Sequence, residues 1–210
     1  MCKLFFTHVN NNIHKMLIHN YLEQILGSMV KVKILRTLFK FPTKTFTGRE
    51  LAGLTDGVSH MAVAKSIRDL EDINLVLIEH HGTSNLLRLN KESHLFPILK
   101  NLFIAERDTM DKLINDIKKT LNKKVISCIL FGSVARNEEK LSSDIDLLII
   151  AKNKTPIKNL IYDKQKYFTE KYGVIVSPMI YTKKQFNKNI PFVKTIGKDY
   201  ILILGEDILK

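Results

Sequence analysis

The feature that most constrains this chain is a pair of apolar runs joined by a polar segment with sharp punctuation. Val125-Ile126-Ser127-Cys128-Ile129-Leu130-Phe131 runs straight into Gly132-Ser133-Val134-Ala135-Arg136. A charged stretch to Ser143 then leads into Asp144-Ile145-Asp146-Leu147-Leu148-Ile149-Ile150. Short apolar runs bounded by glycine and polar residues read as buried strands. Side chains two apart on a strand share a face, so Asp144 and Asp146 project together while Ile145 and Leu147 turn to a core. Two adjacent carboxylates repel each other unless a cation neutralises them. Hard oxygen ligands suit Mg²⁺ or Mn²⁺, and Mg²⁺ keeps positions free for waters and substrate phosphates. At the exit of the first strand, Gly132-Ser133 offers backbone N–H groups and a hydroxyl where a helix would begin, a favourable place for phosphate. Glycine there permits close backbone approach. Singly, an Asp-x-Asp is a common solvated pair and a Gly-Ser a common turn. Their combination at this spacing is specific.

The stretch FGSVARNEEKLSSDIDLLII resembles the signature of the polymerase-beta-type nucleotidyltransferase superfamily: a hydrophobic residue, Gly-Ser, a spacer, then alternating Asp and hydrophobic positions. Arg136 and the Ser143-Asp144 pair match its small, minimal members. The resemblance runs from about Lys123 to Lys210 and includes IGKDYILILGEDI. It implies an α/β mixed-sheet domain in which Gly132, Ser133 and Arg136 bind a nucleoside triphosphate. Asp144 and Asp146 would be both metal ligands and catalytic residues. The implied chemistry is attack of an acceptor hydroxyl on the α-phosphorus with loss of pyrophosphate, assisted by two metal ions. Active members carry a third carboxylate on a later strand. Here that strand, residues 173–181, contains no acid, and Ser177 stands about where the carboxylate is expected. Glu170 lies nearby in sequence but belongs to the preceding helical stretch. Two readings follow. One is a working transferase. The other is a DNA-binding regulator whose transferase-like domain binds a nucleotide or a partner without turnover. Resemblance to antitoxin-type transferases that modify a partner protein is a third, resting on fold analogy.

The first half has a different grammar. Ile34, Leu35, Leu38 and Phe39 recur at helical spacing until Phe41-Pro42 stops the helix. Thr47-Gly48-Arg49-Glu50 is a capping box, and the short helix that follows closes at Asp56-Gly57. Ser59 can cap a further helix over residues 61–73, with Val63, Ile67 and Leu70 on one stripe. His60, Met61, Ala64, Lys65 and Arg68 lie opposite. Runs over residues 75–80 and 85–89, separated by His81-Gly82-Thr83-Ser84, read as a hairpin. This order resembles a winged helix-turn-helix domain. The resemblance implies that the 61–73 helix enters the DNA major groove, with Ser59, His60, Met61, Lys65 and Arg68 as contacts and Arg88 on the wing. Winged helices also serve as protein-interaction modules.

Between the halves, residues 93–121 carry Leu95, Leu99, Leu102, Phe103, Met110, Leu113, Ile114, Ile117 and Leu121 on a helical repeat, predicting one long amphipathic helix bent near Pro97. Its stripe needs cover, from the two domains or from another chain, and the second alternative is a homodimer with paired recognition helices. The division read from the sequence is 1–92 for the winged helix, 93–122 for a linker helix and 123–210 for the transferase-like domain. Residues 10–20 read as a polar tail or short leading helix.

The net charge of +12 over 210 residues favours polyanionic partners. Two cysteines, Cys2 and Cys128, give neither a disulfide framework nor a metal cluster. Cys128, within an apolar run, is expected to be buried and inert, and the histidines lack paired ligand spacing. No stretch approaches the roughly 20 apolar residues that span a bilayer, and no secretory signal is evident. The expected location is the cytoplasm, without membrane partners.

Overall fold

The computed structural model describes residues 26–55, 57–81, 84–136, 138, 143–187, 191–196 and 199–210. The expected leading segment, Cys2, Asp56, the wing-tip Gly82 and Thr83, and Gly197 with Lys198 lie outside the described residues. The chain divides into two compact units, Met1–Arg107 and Asp108–Lys210.

In the first unit, helix α1 (Met29–Lys40) is capped by Ser28, whose hydroxyl accepts from the Lys31 N–H at 3.4 Å. It buries Ile34, Leu35 and Leu38 and ends at Phe41, before Pro42. Strand β1 (Phe46–Thr47) leads into helix α2 (Gly48–Gly53), and the capping box forms as expected. Glu50 N–H donates to Thr47 Oγ1 at 3.2 Å, and the Thr47 N–H donates back to Glu50 Oε2 at 2.7 Å. Helix α3 (His60–Asp72) starts at Ser59, whose hydroxyl accepts from the Ala62 N–H, and buries Val63, Ile67 and Leu70. The hairpin β2 (Val76–His81) and β3 (Ser84–Leu89) pairs Val76 with Leu89 at its base and His81 with Ser84 at its end. Strand β1 adds to β3 through Phe46 opposite Leu87, giving the sheet order β1-β3-β2. This is a winged helix-turn-helix. The short strand β1 was not foreseen. It exists because its partner lies some forty residues away, a pairing that no local periodicity encodes.

Helix α4 (Phe96–Leu121) is a single long element. Leu99 and Phe103 join the first core, whereas Leu113, Ile117 and Leu121 join the second. Pro97 does not bend it. It sits in the first turn, where a missing N–H costs nothing. Leu102, expected on the buried stripe, is 48% exposed, as is Ile98 at 59%.

The second unit is a four-stranded mixed sheet, ordered β6-β5-β4-β7. Strand β4 (Ser127–Phe131) is buried throughout and pairs antiparallel with β5 (Ile145–Ala151) and with β7 (Ile201–Gly205). Between β4 and β5 lies the one-turn helix α5 (Gly132–Ala135). Helix α6 (Lys154–Tyr172) carries the chain from β5 to its parallel neighbour β6 (Val176–Thr182), as a parallel crossover requires. It stops at Gly173, φ +69°, a left-handed cap. Helix α7 (Pro191–Thr195) precedes β7. Edge strand β6 carries Pro178. On edge strand β7 the register skips Ile203, since Cys128 faces Leu204 and Ile129 faces Leu202.

A polar cluster ties α4 to α6. The Asp116 carboxylate accepts from Lys171 Nζ at 2.7 Å, from the Tyr167 hydroxyl at 2.7 Å and from the Tyr172 hydroxyl at 2.6 Å. These three donors hold its carboxyl well below the usual carboxylate range. Cys128 is buried as expected, and burial pushes its thiol up to about 12, so no reactive thiolate forms near neutrality.

Candidate functional site

Sheet register assembles the candidate site. Phe131, the last residue of β4, lies opposite Asp146, and Asp146 lies beside Ser177 on the parallel strand β6. Asp144 immediately precedes β5. Ile145 and Leu147 are buried at 3% and 1% exposure while both aspartates are half-buried, so the alternation expected from the sequence holds.

Gly132 begins α5 at φ +82°, in the left-handed region. A Cβ added there would collide with the Asp146 carboxylate. Glycine is thus required twice, by its backbone and by the side chain it abuts. Phe131 provides no side-chain cap, and the first N–H groups of a helix have no intrahelical partner. The Ser133 hydroxyl donates to Ser143 Oγ at 3.2 Å, drawing the two ends of the β4–β5 connection together.

Burial raises the Asp146 carboxyl above its ordinary value, and the neighbouring Asp144 carboxylate adds to the rise. Among the described residues no lysine or arginine pairs with either carboxylate. Among the described residues Asp144 has one hydrogen-bond partner. The Ser177 hydroxyl donates to Asp144 Oδ2 at 2.9 Å. A desolvated carboxylate beside another, without a protein cation, is a donor set that fits a divalent ion. No set of three or more His, Cys, Asp or Glu ligands occurs among the described residues. Ser177 stands beside Asp146 without supplying an acid.

Arg136, expected to contact the nucleotide, follows directly on α5. Its guanidinium donates to Glu138 at 2.7 Å, and both side chains are largely exposed, so it is held in a local ion pair. On the winged helix, His60, Met61, Lys65 and Arg68 are exposed along one face of α3, opposite Val63, Ile67 and Leu70. Arg88 pairs with Glu79 across the hairpin at 2.8 Å, which occupies it within the wing. The exposed His80 ring places Nδ1 2.8 Å from the Asn85 side-chain oxygen across the same hairpin. The sequence reading missed the Ser177–Asp144 bond, whose partners lie 33 residues apart.

The comparisons with known proteins bear on the second unit. The family model of the nucleotidyltransferase domain matches residues 110–204. A curated relative from Methanocaldococcus jannaschii is 38% identical over 88 residues, covering 39% of this chain and 85% of that protein. The chain belongs to the nucleotidyltransferase family. The relative is named "Putative protein adenylyltransferase", as is a second protein of the same organism, 32% identical over 104 residues, covering 47% of this chain and 71% of its own length. The family domain begins inside α4, so the helix segment bearing Leu113, Ile117 and Leu121 is part of it. Two solved structures are similar in fold. A MarR-family transcriptional regulator from Enterococcus faecalis has 22% identity and TM-score 0.36, covering 45% of this chain and 86% of that one. TrmBL2, an archaeal chromatin protein, has 15% identity and TM-score 0.30, covering 83% of this chain and 73% of that one. Such scores carry no argument, and the winged-helix assignment rests on element order and register. No helix among the described residues is long and apolar enough to cross a membrane.

Proposed function

We propose that the second unit of this nucleotidyltransferase-family protein binds a nucleoside triphosphate with one or more divalent ions and transfers its nucleotidyl group to a hydroxyl, while the winged helix binds DNA. The observation that carries the reading is the adjacency of Asp146, partly desolvated and without an ion pair among the described residues, its neighbour Asp144 and the side-chain-free Gly132. Asp144 and Asp146 would hold Mg²⁺ or Mn²⁺, which when bound supplies positive charge against the phosphates. Gly132 keeps the space over Asp146 open, and the N–H groups of Gly132 and Ser133 face phosphate oxygens. In the transfer the acceptor oxygen bonds to the α-phosphorus, the bond to pyrophosphate breaks, and the acceptor proton leaves to solvent. The names of the relatives make ATP the first nucleotide to test and a protein side chain the first acceptor.

The test is incubation of the full chain with labelled ATP, CTP, GTP or UTP and Mg²⁺, with and without cell extract. Label on protein or RNA that is lost in Asp144→Asn supports the transferase. A second reading is favoured by Ser177, which supplies a hydroxyl and no base: the unit binds nucleotide without turnover and reports it to the DNA-binding half. Saturable ATP binding with no label transferred would select that reading.

For DNA, Lys65 and Arg68 are exposed on α3 and take part in no ion pair among the described residues. A homodimer presenting two such helices belongs to this proposal, with the exposed Ile98 and Leu102 of α4 available to it. Light scattering giving only monomer mass, with and without DNA, would remove it.

A further inference from the structure

We infer that the site takes a single divalent ion, because position 177 beside Asp146 supplies a hydroxyl bonded to Asp144 in place of a third carboxylate. The inference rests on the proposed reading of Asp144 and Asp146 as ligands, and it concerns stoichiometry, which does not depend on turnover.

Three observations carry it. First, β6 runs parallel to β5 with Ser177 directly beside Asp146, so position 177 is where a third ligand would complete the site. A neutral hydroxyl there adds no charge. With the triphosphate bound, phosphate oxygens serve one ion, and a second ion about 3.5–4 Å away would have to share the same two carboxylates with no third to hold it. Second, the Ser177 hydroxyl spends its proton on Asp144 Oδ2 at 2.9 Å. That oxygen is partly satisfied, which leaves Oδ1 of Asp144 and the carboxylate of Asp146 as the best donors, a set suited to one ion. Third, the other described acids near in sequence are engaged elsewhere. Glu138 pairs with Arg136, and Glu170 pairs with Lys166 along α6 at 3.7 Å. Ser177 is therefore a positioning residue. It holds Asp144 through Oδ2 and brings no charge of its own.

The experiment counts ions. Full-length protein with a saturating non-hydrolysable ATP analogue is titrated with Mn²⁺, read by calorimetry and by electron paramagnetic resonance, in which a close Mn²⁺ pair gives a spin-coupled spectrum. The wild-type chain is expected to bind one protein-held Mn²⁺ with an uncoupled spectrum. Ser177→Ala is expected to keep one ion at roughly tenfold weaker affinity, in line with the loss of one hydrogen bond to a charged group. Ser177→Asp is expected to bind two ions with a coupled spectrum. Two coupled ions on the wild-type chain overturn the inference and leave the proposed site standing. A Ser177→Asp chain that folds yet stays at one ion overturns the role of Ser177. If that variant does not fold, the wild-type count and the Ser177→Ala affinity still decide. No protein-held Mn²⁺ at all, with Asp144→Asn indistinguishable from wild type, overturns both the inference and the reading beneath it.

Discussion

At the scale of single residues, the site is a place where stability yields to function. Gly132 is the sharpest case. Replacing it with alanine forces an L side chain to φ +82° and drives its Cβ into Asp146. Gly132→Ala is expected to lose nucleotide binding in calorimetry and about 1–3 kcal/mol in urea denaturation, the usual cost of a residue held in a disfavoured backbone region. Asp146 is expected to behave oppositely. Burial and Asp144 raise its carboxyl pKa, so the folded chain holds that proton more tightly than the unfolded one. The associated stability is present below the unfolded pKa and is lost as pH rises through the raised folded value. At pH 7 without metal the ionised group therefore works against folding. Asp146→Asn is expected to be more stable there by about 0.5–2 kcal/mol, the common gain from relieving a functional site. The gain should shrink as pH falls to the ordinary aspartate range, and Mg²⁺ should cease to raise the melting temperature. A variant less stable than wild type at pH 7 would contradict this account.

Elements carry the next predictions. Two exposed cations lie on α3, and each phosphate neutralised contributes about −0.9 to the slope of log affinity against log salt. Replacing Lys65 and Arg68 together by glutamine is expected to weaken DNA binding and to reduce the magnitude of that slope by about 1.8. An unchanged gel shift would show that α3 does not face phosphate. The joint of α4 and α6 rests on Asp116, whose side chain is only 14% exposed. Asp116→Ala leaves Lys171, Tyr167 and Tyr172 without their acceptor and is expected to cost about 1–3 kcal/mol at neutral pH. Its pKa is depressed, so the stabilisation is present above the unfolded pKa and disappears as pH falls through the folded value. Wild type and variant should converge in acid. The stripes of α1 and α3 and the caps at Thr47 and Ser59 were legible because helix periodicity and capping act within a few residues. Strand β1, the Asp116 cluster, the Arg88–Glu79 pair and the Ser177–Asp144 bond were not, because each joins residues that only the folded register brings together. The bend expected at Pro97 failed for a local reason: the helix begins at Phe96, which makes the proline a starter and not an interrupter.

For the whole molecule, the net charge of +12 bears on partners and the apolar clusters bear on folding, and the two were separable in the sequence. The motif over residues 131–150 was legible because its residues are nearly contiguous, and the place of the missing acid at Ser177 was legible from the resemblance, the parallel pairing of β6 with β5 then setting Ser177 beside Asp146. The sheet of the second unit also has two edge strands, and both carry an irregularity. On β6 it is Pro178, which has no N–H to offer, and on β7 it is the skipped Ile203 beside Gly205, φ +76°. Edges interrupted in this way are poor templates for another strand. The consequence is colloidal. Edge-to-edge strand pairing between copies is disfavoured, and Pro178→Val is expected to raise light scattering in concentrated solution where wild type stays clear.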